Sequence, residues 1–525
     1  MRYNPALDGI RAVAILAVLV FHVSPTVLRG GFAGVDVFFV LSGFLITSII
    51  IHDLRNRDFS FREFYLRRAQ RLLPNMVAMV MGVLVLWALW MPPTSASQPG
   101  RHGMWALLNL SNIHIWRHLG GYWGDAAEQA PLTHTWSLAI EEQFYLLFPL
   151  TLFLLSRWMD ERRVRLVLSL AAVVSFVACA IGTFIQPTAT FYSLPTRSWE
   201  LLLGSIIAIS RKSDTPGGAS FTEGGLRSGI EWAGCLGLAL IGISFVVLDE
   251  RSGFPGVVVL LPTIGTTLLI VAALDQGSKV ARLLATPVLV EVGKMSYSVY
   301  LWHWPFIVFA RFHMELRDYP RDVGAVFGGL AGTLIGCLAY FIVEQPLRSR
   351  GPGRMRRVAV IATGFVATLT ACVLVANRMP VIDPLHRFDT PSFSGMSFDA
   401  GRPTIENLAK AVRYSDVVFA APPLGLADAW RSGGIIHRFG GGNPAVVVLG
   451  SSHALMYSRL VDGICREKSV SVAFLGVDGN PAFFETVANQ SFPSPKEARE
   501  FDAARRRWLR EWRPSVVFVI DRWDI

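Results

Sequence analysis

Charged side chains are scarce in this chain. Only 17% of its 525 residues are Asp, Glu, Lys or Arg, against 52% hydrophobic ones. That is too little charge to solvate the surface of a water-soluble protein of this size. Cysteine is rare too. Five are present, and Cys179, Cys235, Cys337 and Cys372 fall inside apolar runs, so neither a disulfide framework nor a metal-ligating spacing emerges. No small-residue cleavage site follows the first apolar run, which also holds Asp8, Arg11 and His22; it reads as a retained helix, not a signal peptide. The formal charge of +10 would suit nucleic acid, but the arginines collect in short loops between apolar runs. No nucleic-acid partner is expected.

Long apolar stretches fill the first 376 residues. Eleven are expected near 7–24, 32–52, 75–92, 137–155, 164–185, 191–210, 229–248, 257–274, 293–311, 322–343 and 358–376. Runs of this kind cross a hydrocarbon core about 30 Å thick, so the lipid bilayer is the expected solvent. Arginine-rich loops at 53–73, 157–165 and 345–357 each follow an even-numbered stretch. The positive-inside rule makes them cytoplasmic, with the N-terminus inside and everything after residue 377 outside. The outer loop 93–133 holds a short apolar stretch, 104–116, expected to lie at the interface. The composition then changes: 377–438 reads as a linker and 439–525 as part of a soluble α/β domain. Strands are expected at 444–449, 470–475 and 515–520, with a basic amphipathic helix at 495–512, an order that argues for a parallel sheet. The fold class is thus an all-α polytopic membrane domain (1–376) followed by a partial α/β extracytoplasmic domain.

Ionisable groups inside apolar spans are expensive and are functional candidates by default. Arg11 and His22 are eleven residues apart, which returns to nearly one helix face about 16 Å along the axis. An imidazole takes and returns protons near neutral pH, which makes His22 the catalytic candidate; the alternative is a hydrogen bond tying two helices. Arg68 and Arg71 share a helical face just before Pro74, and their guanidinium groups suit an anionic ligand; the alternative is a loop held inside by its charge. Glu141 and Glu142 point about 100° apart, so one is expected to pair with Arg or His and the other to meet an outer-leaflet polar group. Arg197 and Glu200, three apart, read as a self-paired set or as part of the same cavity. Glu344 is expected to meet neighbouring arginines. The run Ser296–Pro305 packs aromatics around His303 inside a span, as expected around a pore or acyl site.

Taken together, several segments resemble the acyltransferase-3 family of integral-membrane acyltransferases. They are Leu7-Asp-Gly-Ile-Arg-Ala12, Phe21-His22, Gly34 to Leu45, Phe64-Tyr-Leu-Arg-Arg-Ala-Gln-Arg-Leu-Leu-Pro74, His134-Thr-Trp-Ser137, Glu141 to Tyr145, Arg197-Ser-Trp-Glu200, Ser296 to Pro305 and Val343 to Arg348. The resemblance covers about residues 1–350, in order. It implies a cytoplasmic acyl-CoA donor, most simply acetyl-CoA, no metal, and an envelope glycan such as O-antigen or peptidoglycan as the outer acceptor, at a bacterial inner membrane. Arg11 and His22 would form the core of the site, Arg68 and Arg71 would meet the CoA phosphates, Glu141 and Glu142 would be the acidic motif, and Glu344 would lie near the donor. Asp36 or one of the paired glutamates would orient His22.

The C-terminal part resembles the SGNH-type domain fused to such proteins. Gly450-Ser451-Ser452-His453 makes Ser452 the nucleophile, with Ser451 where that family has Asp. The Asp-x-x-His that supplies the base does not follow before Ile525, and a serine without a base is weakly nucleophilic. The expectation is therefore a shortened chain or a domain without catalysis, and a membrane-anchored esterase acting through Ser452 is disfavoured. The chief rival is a transporter of a glycan or lipid-linked intermediate; no pair of broken half-helices recurs between the halves, which counts against it.

Overall fold

The computed structural model describes residues 3–90, 97–118, 129–211, 224–249, 252–275, 277–315, 320–348, 353–377, 435–439, 443–450, 465, 469–476 and 495–520. The chain divides into two compact units, residues 1–394 and 395–525.

The first unit is helical. Asn4 caps α1 (Pro5–Val23), its side chain accepting from the Ala6 amide at 3.1 Å, with Pro5 at the first helical position. There follow α2 (Gly34–Arg55), α3 (Phe61–Trp90), α4 (Ser97–Leu107), α5 (Ser111–His118), α6 (Thr135–Trp158), α7 (Glu161–Ile185), the short α8 (Pro187–Tyr192) and α9 (Leu194–Ser210). After these come α10 (Gly224–Val247), α11 (Leu260–Leu274), the short α12 (Lys279–Leu284), α13 (Pro287–Glu315) and α14 (Arg321–Ala339). A π turn (Tyr340–Glu344), the short α15 (Gln345–Arg348) and α16 (Arg354–Asn377) complete the unit. Every one of the eleven expected stretches is helical. Among the described residues, nine helices are long and apolar enough to cross a membrane. The sixth stretch, α9, has only 17 residues, and the apolarity of the ninth, α13, is diluted by its Ser, Tyr, Trp and His residues between Ser296 and Trp304. The protein is a multi-pass membrane protein.

Two expectations need correction. Residues 61–73 are not loop but the opening turns of α3, which runs on through Pro74. Ser60 and Glu63 have capping-box spacing, the Glu63 amide donating to Ser60 Oγ at 3.4 Å. Arg354 then ties the start of α16 to this segment, donating to both oxygens of Glu63 at 2.9 and 3.0 Å and to Gln70 at 3.1 Å. The stretch 104–116 is not one interfacial helix either. It is split between α4 and α5 at Asn109, whose φ is 56°, and His102, Ala106, Leu107, Asn112, His114 and Ile115 are buried in protein.

Close helix contact rests on glycine. In α14, Gly324, Gly328, Gly332 and Gly336 recur every four residues and face the backbone of α13. A Cβ on Gly332 would meet His303 Cα at 2.6 Å, and one on Gly336 would meet Val299 Cα at 2.7 Å. Small-residue stripes of this spacing let membrane helices pack backbone to backbone.

The second unit is a four-stranded sheet in the order β1-β3-β2-β4, from β1 (Ile435–Phe439), β2 (Val446–Gly450), β3 (Val472–Gly476) and β4 (Val516–Ile520). The expected parallel core is present: β2 runs parallel to both β3 and β4. β1, antiparallel to β3, is an addition that starts within the stretch read as linker. Val447, Leu449, Ala473 and Leu475 pack with Trp508, Leu509 and Trp512 of α17 (Pro495–Trp512), which explains that helix's amphipathic pattern. Ser451, Ser452 and His453 lie outside the described residues.

Candidate active site

The site is built around α13. Its backbone carries Pro305, which has no N–H for the carbonyl of Leu301, four residues earlier. His134 Nε2 fills that vacancy at 3.0 Å. This bond draws the start of α6 onto α13, and Tyr300 strengthens it by donating to the His134 carbonyl at 3.0 Å and meeting Ser137 Oγ at 2.8 Å. Between Tyr297 and His303, polar side chains of α13 reach four other segments. Tyr297 donates to the Leu72 carbonyl at 2.8 Å, and Trp302 Nε1 to Asn75 Oδ1 at 2.9 Å, both on α3. Ser298 accepts from Asn75 Nδ2 at 2.5 Å and donates to Glu344 Oε2 at 2.6 Å. Glu344 is buried in the π turn, a distortion that recurs at functional sites. His303 meets α1.

His22 is buried in protein at 6% exposure and does not face lipid. Its Nδ1 lies 2.9 Å from His303 Nε2. Trp304 packs 4.8 Å from the His22 ring, and Arg311 Nη2 donates to the His22 carbonyl at 3.0 Å. The expected orienting carboxylates are elsewhere. Asp36 bonds Arg197, which also meets Glu200 at 2.9 Å, and all three are fully buried. The Arg197 guanidinium sits within 5.4–6.0 Å of the rings of Phe39, Trp136, Phe191 and Phe254. In such an apolar cage a guanidinium claims the nearest carboxylates, because an unpaired buried charge is costly. Asp36 therefore does not orient His22.

Glu141 accepts from Ser42 and Tyr145, which hold it between α2 and α6. Glu142 pairs with Arg68 at 3.3 Å, and the Arg68 guanidinium lies 3.4 Å over the Tyr145 ring. Arg11 pairs with Asp8 at 3.6 Å, and Arg348 lies 3.9 Å from Glu344. Arg71 differs: it makes no carboxylate ion pair among the described residues; Arg11, Arg348 and Arg68 lie near enough to repel it, and Glu344 offsets part of that repulsion from a distance. The two arginines expected to act alike thus have different surroundings. Of these two, Arg71 is the one not engaged by a carboxylate ion pair among the described residues.

The residues missed by sequence reasoning are His303 as a partner of His22, and Asn75 and Ser298 as the bridge to Glu344. Histidine in an apolar run was the available signal for His303; nothing local pointed to its partner.

A bundle of membrane-length helices with ionisable side chains buried among them defines a polytopic membrane protein with an internal polar site. The chain belongs to the acyltransferase-3 family, whose acyltransferase-domain model matches residues 4–343. A second model, the SGNH domain fused to such acyltransferase domains, matches residues 426–525, which takes in β1. The chain is 32% identical over 362 residues to the O-acetyltransferase OatA of Staphylococcus aureus (67% of this chain, 58% of the relative). It is 30% identical over 362 residues to the putative peptidoglycan O-acetyltransferase YrhL of Bacillus subtilis (67% and 56%). The chain therefore spans a little over half the length of these curated relatives. No solved structure matches it.

Proposed function

We propose that this protein moves an acetyl group from acetyl-CoA, bound on the cytoplasmic side of a bacterial inner membrane, to hydroxyls of an envelope polysaccharide on the outer side. The observation that carries the reading is the unbroken run of polar contacts along α13. At its inner part, Ser298 and Glu344 adjoin the arginine cluster; five residues further on, about 7–8 Å along the axis, His303 meets His22. Membrane orientation follows the arginine-rich segments, with the N-terminus inside and the C-terminal unit outside.

Arg71, in no direct carboxylate ion pair among the described residues, takes a phosphate of the donor, with Arg11 and Arg348 adding positive potential. Glu142 holds Arg68 in place; Glu141 holds Tyr145 beneath it. Glu344, through Ser298 and Asn75, fixes the inner end of α13 at the donor side. His22 acts on the acetyl group or on the acceptor hydroxyl. Peptidoglycan is the first acceptor to test, because the Bacillus relative carries that putative assignment; O-antigen is the second.

The test is mass spectrometry of envelope glycans from a deletion strain carrying the wild-type gene or His22→Ala. Acetylation restored by the wild type and absent with a normally inserted His22→Ala protein is the expected result. Full acetylation with His22→Ala removes His22 from the mechanism. A glycan that fails to reach the outer face, in place of one that arrives unacetylated, would favour the transporter.

A further inference from the structure

We infer that His303 is a positioning residue that fixes the tautomer of His22 and so makes Nε2 the reactive nitrogen of that imidazole. The inference rests on the proposed role of His22. It starts from backbone carbonyls, whose hydrogen-bonding role is not in doubt: they only accept. His303 Nδ1 lies 2.7 Å from the Tyr300 carbonyl and 3.3 Å from that of Val299. Nδ1 of His303 must therefore carry the proton, which leaves Nε2 of the neutral ring as an acceptor. That acceptor faces His22 Nδ1 at 2.9 Å, so His22 Nδ1 carries the proton between them and its Nε2 keeps the lone pair.

The ring geometry agrees with a true hydrogen bond. The ring centroids are 5.0 Å apart and the planes differ by 24°. With nitrogens 2.9 Å apart, the remaining separation is close to the sum of the two ring radii, its largest possible value, so the bond leaves both rings nearly radially and close to their planes. The described neighbours of the pair place their donors elsewhere. His134 gives its Nε2 proton to Leu301, and Arg311 donates to the His22 backbone.

The consequence is a directed proton path. The acceptor O–H bond breaks as its proton passes to His22 Nε2 and its oxygen bonds to the thioester carbonyl carbon of the donor. The C–S bond then breaks, and the leaving thiolate takes the proton back from Nε2. While His22 carries the extra proton, Nδ1–H continues to donate to His303, which spreads the charge without leaving its own carbonyl partner. A neutral side chain that accepts at the position of His303 Nε2 preserves this arrangement; an apolar one does not.

The experiment uses the full-length protein in liposomes, labelled with 15N-histidine, with solid-state NMR identifying the His22 signals by their loss in His22→Gln. The expected wild-type spectrum has a protonated Nδ1 and a bare Nε2 on His22. Transfer from radiolabelled acetyl-CoA is measured in parallel across pH. His303→Leu is expected to lower kcat by a factor on the order of 10²–10⁴ with little change in the donor KM, as when a catalytic imidazole loses its tautomer partner. His303→Gln, which can accept from Nδ1–H, is expected to recover at least about tenfold of that loss and to restore the wild-type pH profile. A wild-type His22 protonated on Nε2 alone, or equal kcat and pH profiles for His303→Leu and wild type, overturns the inference. Undiminished transfer by His22→Ala would instead defeat the proposed role of His22, while the NMR result would still decide the tautomer.

Discussion

Arg71→Gln and Arg68→Gln make a sharp contrast, although the two residues sit one helical turn apart. Arg68 holds Glu142 at 3.3 Å and covers Tyr145. Removing its charge leaves a largely buried carboxylate without its partner, a loss of roughly 2–3 kcal/mol for a pair that is not fully desolvated. Arg71 has no such direct partner; three guanidinium groups lie near it, and the more weakly acting Glu344 offsets only part of their repulsion. Neutralising it removes repulsion, so stability should be unchanged or rise by a few tenths of a kcal/mol. Its worth lies in the donor: a charge-assisted hydrogen bond to phosphate contributes about 1.5–3 kcal/mol, or about 10- to 100-fold in donor KM. Thermal unfolding in detergent and acetyl-CoA kinetics on the same preparations separate the two effects. Arg71→Gln should bind the donor weakly at full stability, and Arg68→Gln should melt earlier. Refutation would be an Arg71→Gln protein with unchanged donor KM, or one destabilised as much as Arg68→Gln.

Three further outcomes are expected. Arg197→Met strands two buried carboxylates, Asp36 and Glu200, and should cost about 3–5 kcal/mol; adding Asp36→Asn and Glu200→Gln should recover most of it in chemical unfolding. Gly332→Ala presses α14 off His303 and should lower transfer while insertion persists, whereas Gly242→Ala, which meets nothing within 4 Å, should be neutral or stabilising by up to about 1 kcal/mol. His102, buried against His114 (ring centroids 4.8 Å apart), has its pKa pushed down to about 3 by burial and then by the neighbouring imidazoles. The unfolded chain binds that proton near pH 6.5 and the folded one does not, so stability is complete above 6.5 and falls by about 1.4 kcal/mol per pH unit toward 3. His102 alone should therefore make unfolding at pH 5 easier by about 2 kcal/mol than at pH 7, and His102→Gln should remove that share of the total, to which His114, pushed down to about 4, also contributes.

The helices of the first unit were legible because length and apolarity are local properties. The opening turns of α3 were also written locally, in Ser60 and Glu63, but the arginines that mark sidedness concealed them: charge reports which side of the membrane a segment lies on, not its shape. β1 could not be read, since a five-residue edge strand containing His437 and Arg438 has no continuous apolar run and is defined by its pairing with β3. In the site, helical spacing placed Arg68 and Arg71 on one face of α3 but said nothing of what lies across the bundle, where Glu142 engages Arg68 alone. Asp36 is 161 positions from Arg197, and His22 is 281 positions from His303. Such partners are chosen by packing, and the cost of an unpaired buried charge decides between them.

The central claim is passage of an acetyl group through the protein by way of His22. Liposomes containing full-length protein, with radiolabelled acetyl-CoA sealed on the side of the arginine-rich segments and glycan acceptor on the other, test it directly. Label should appear on the acceptor with wild-type protein and not with His22→Ala. Labelling that persists with His22→Ala, or that occurs only when acetyl-CoA and acceptor share one side, would contradict the account.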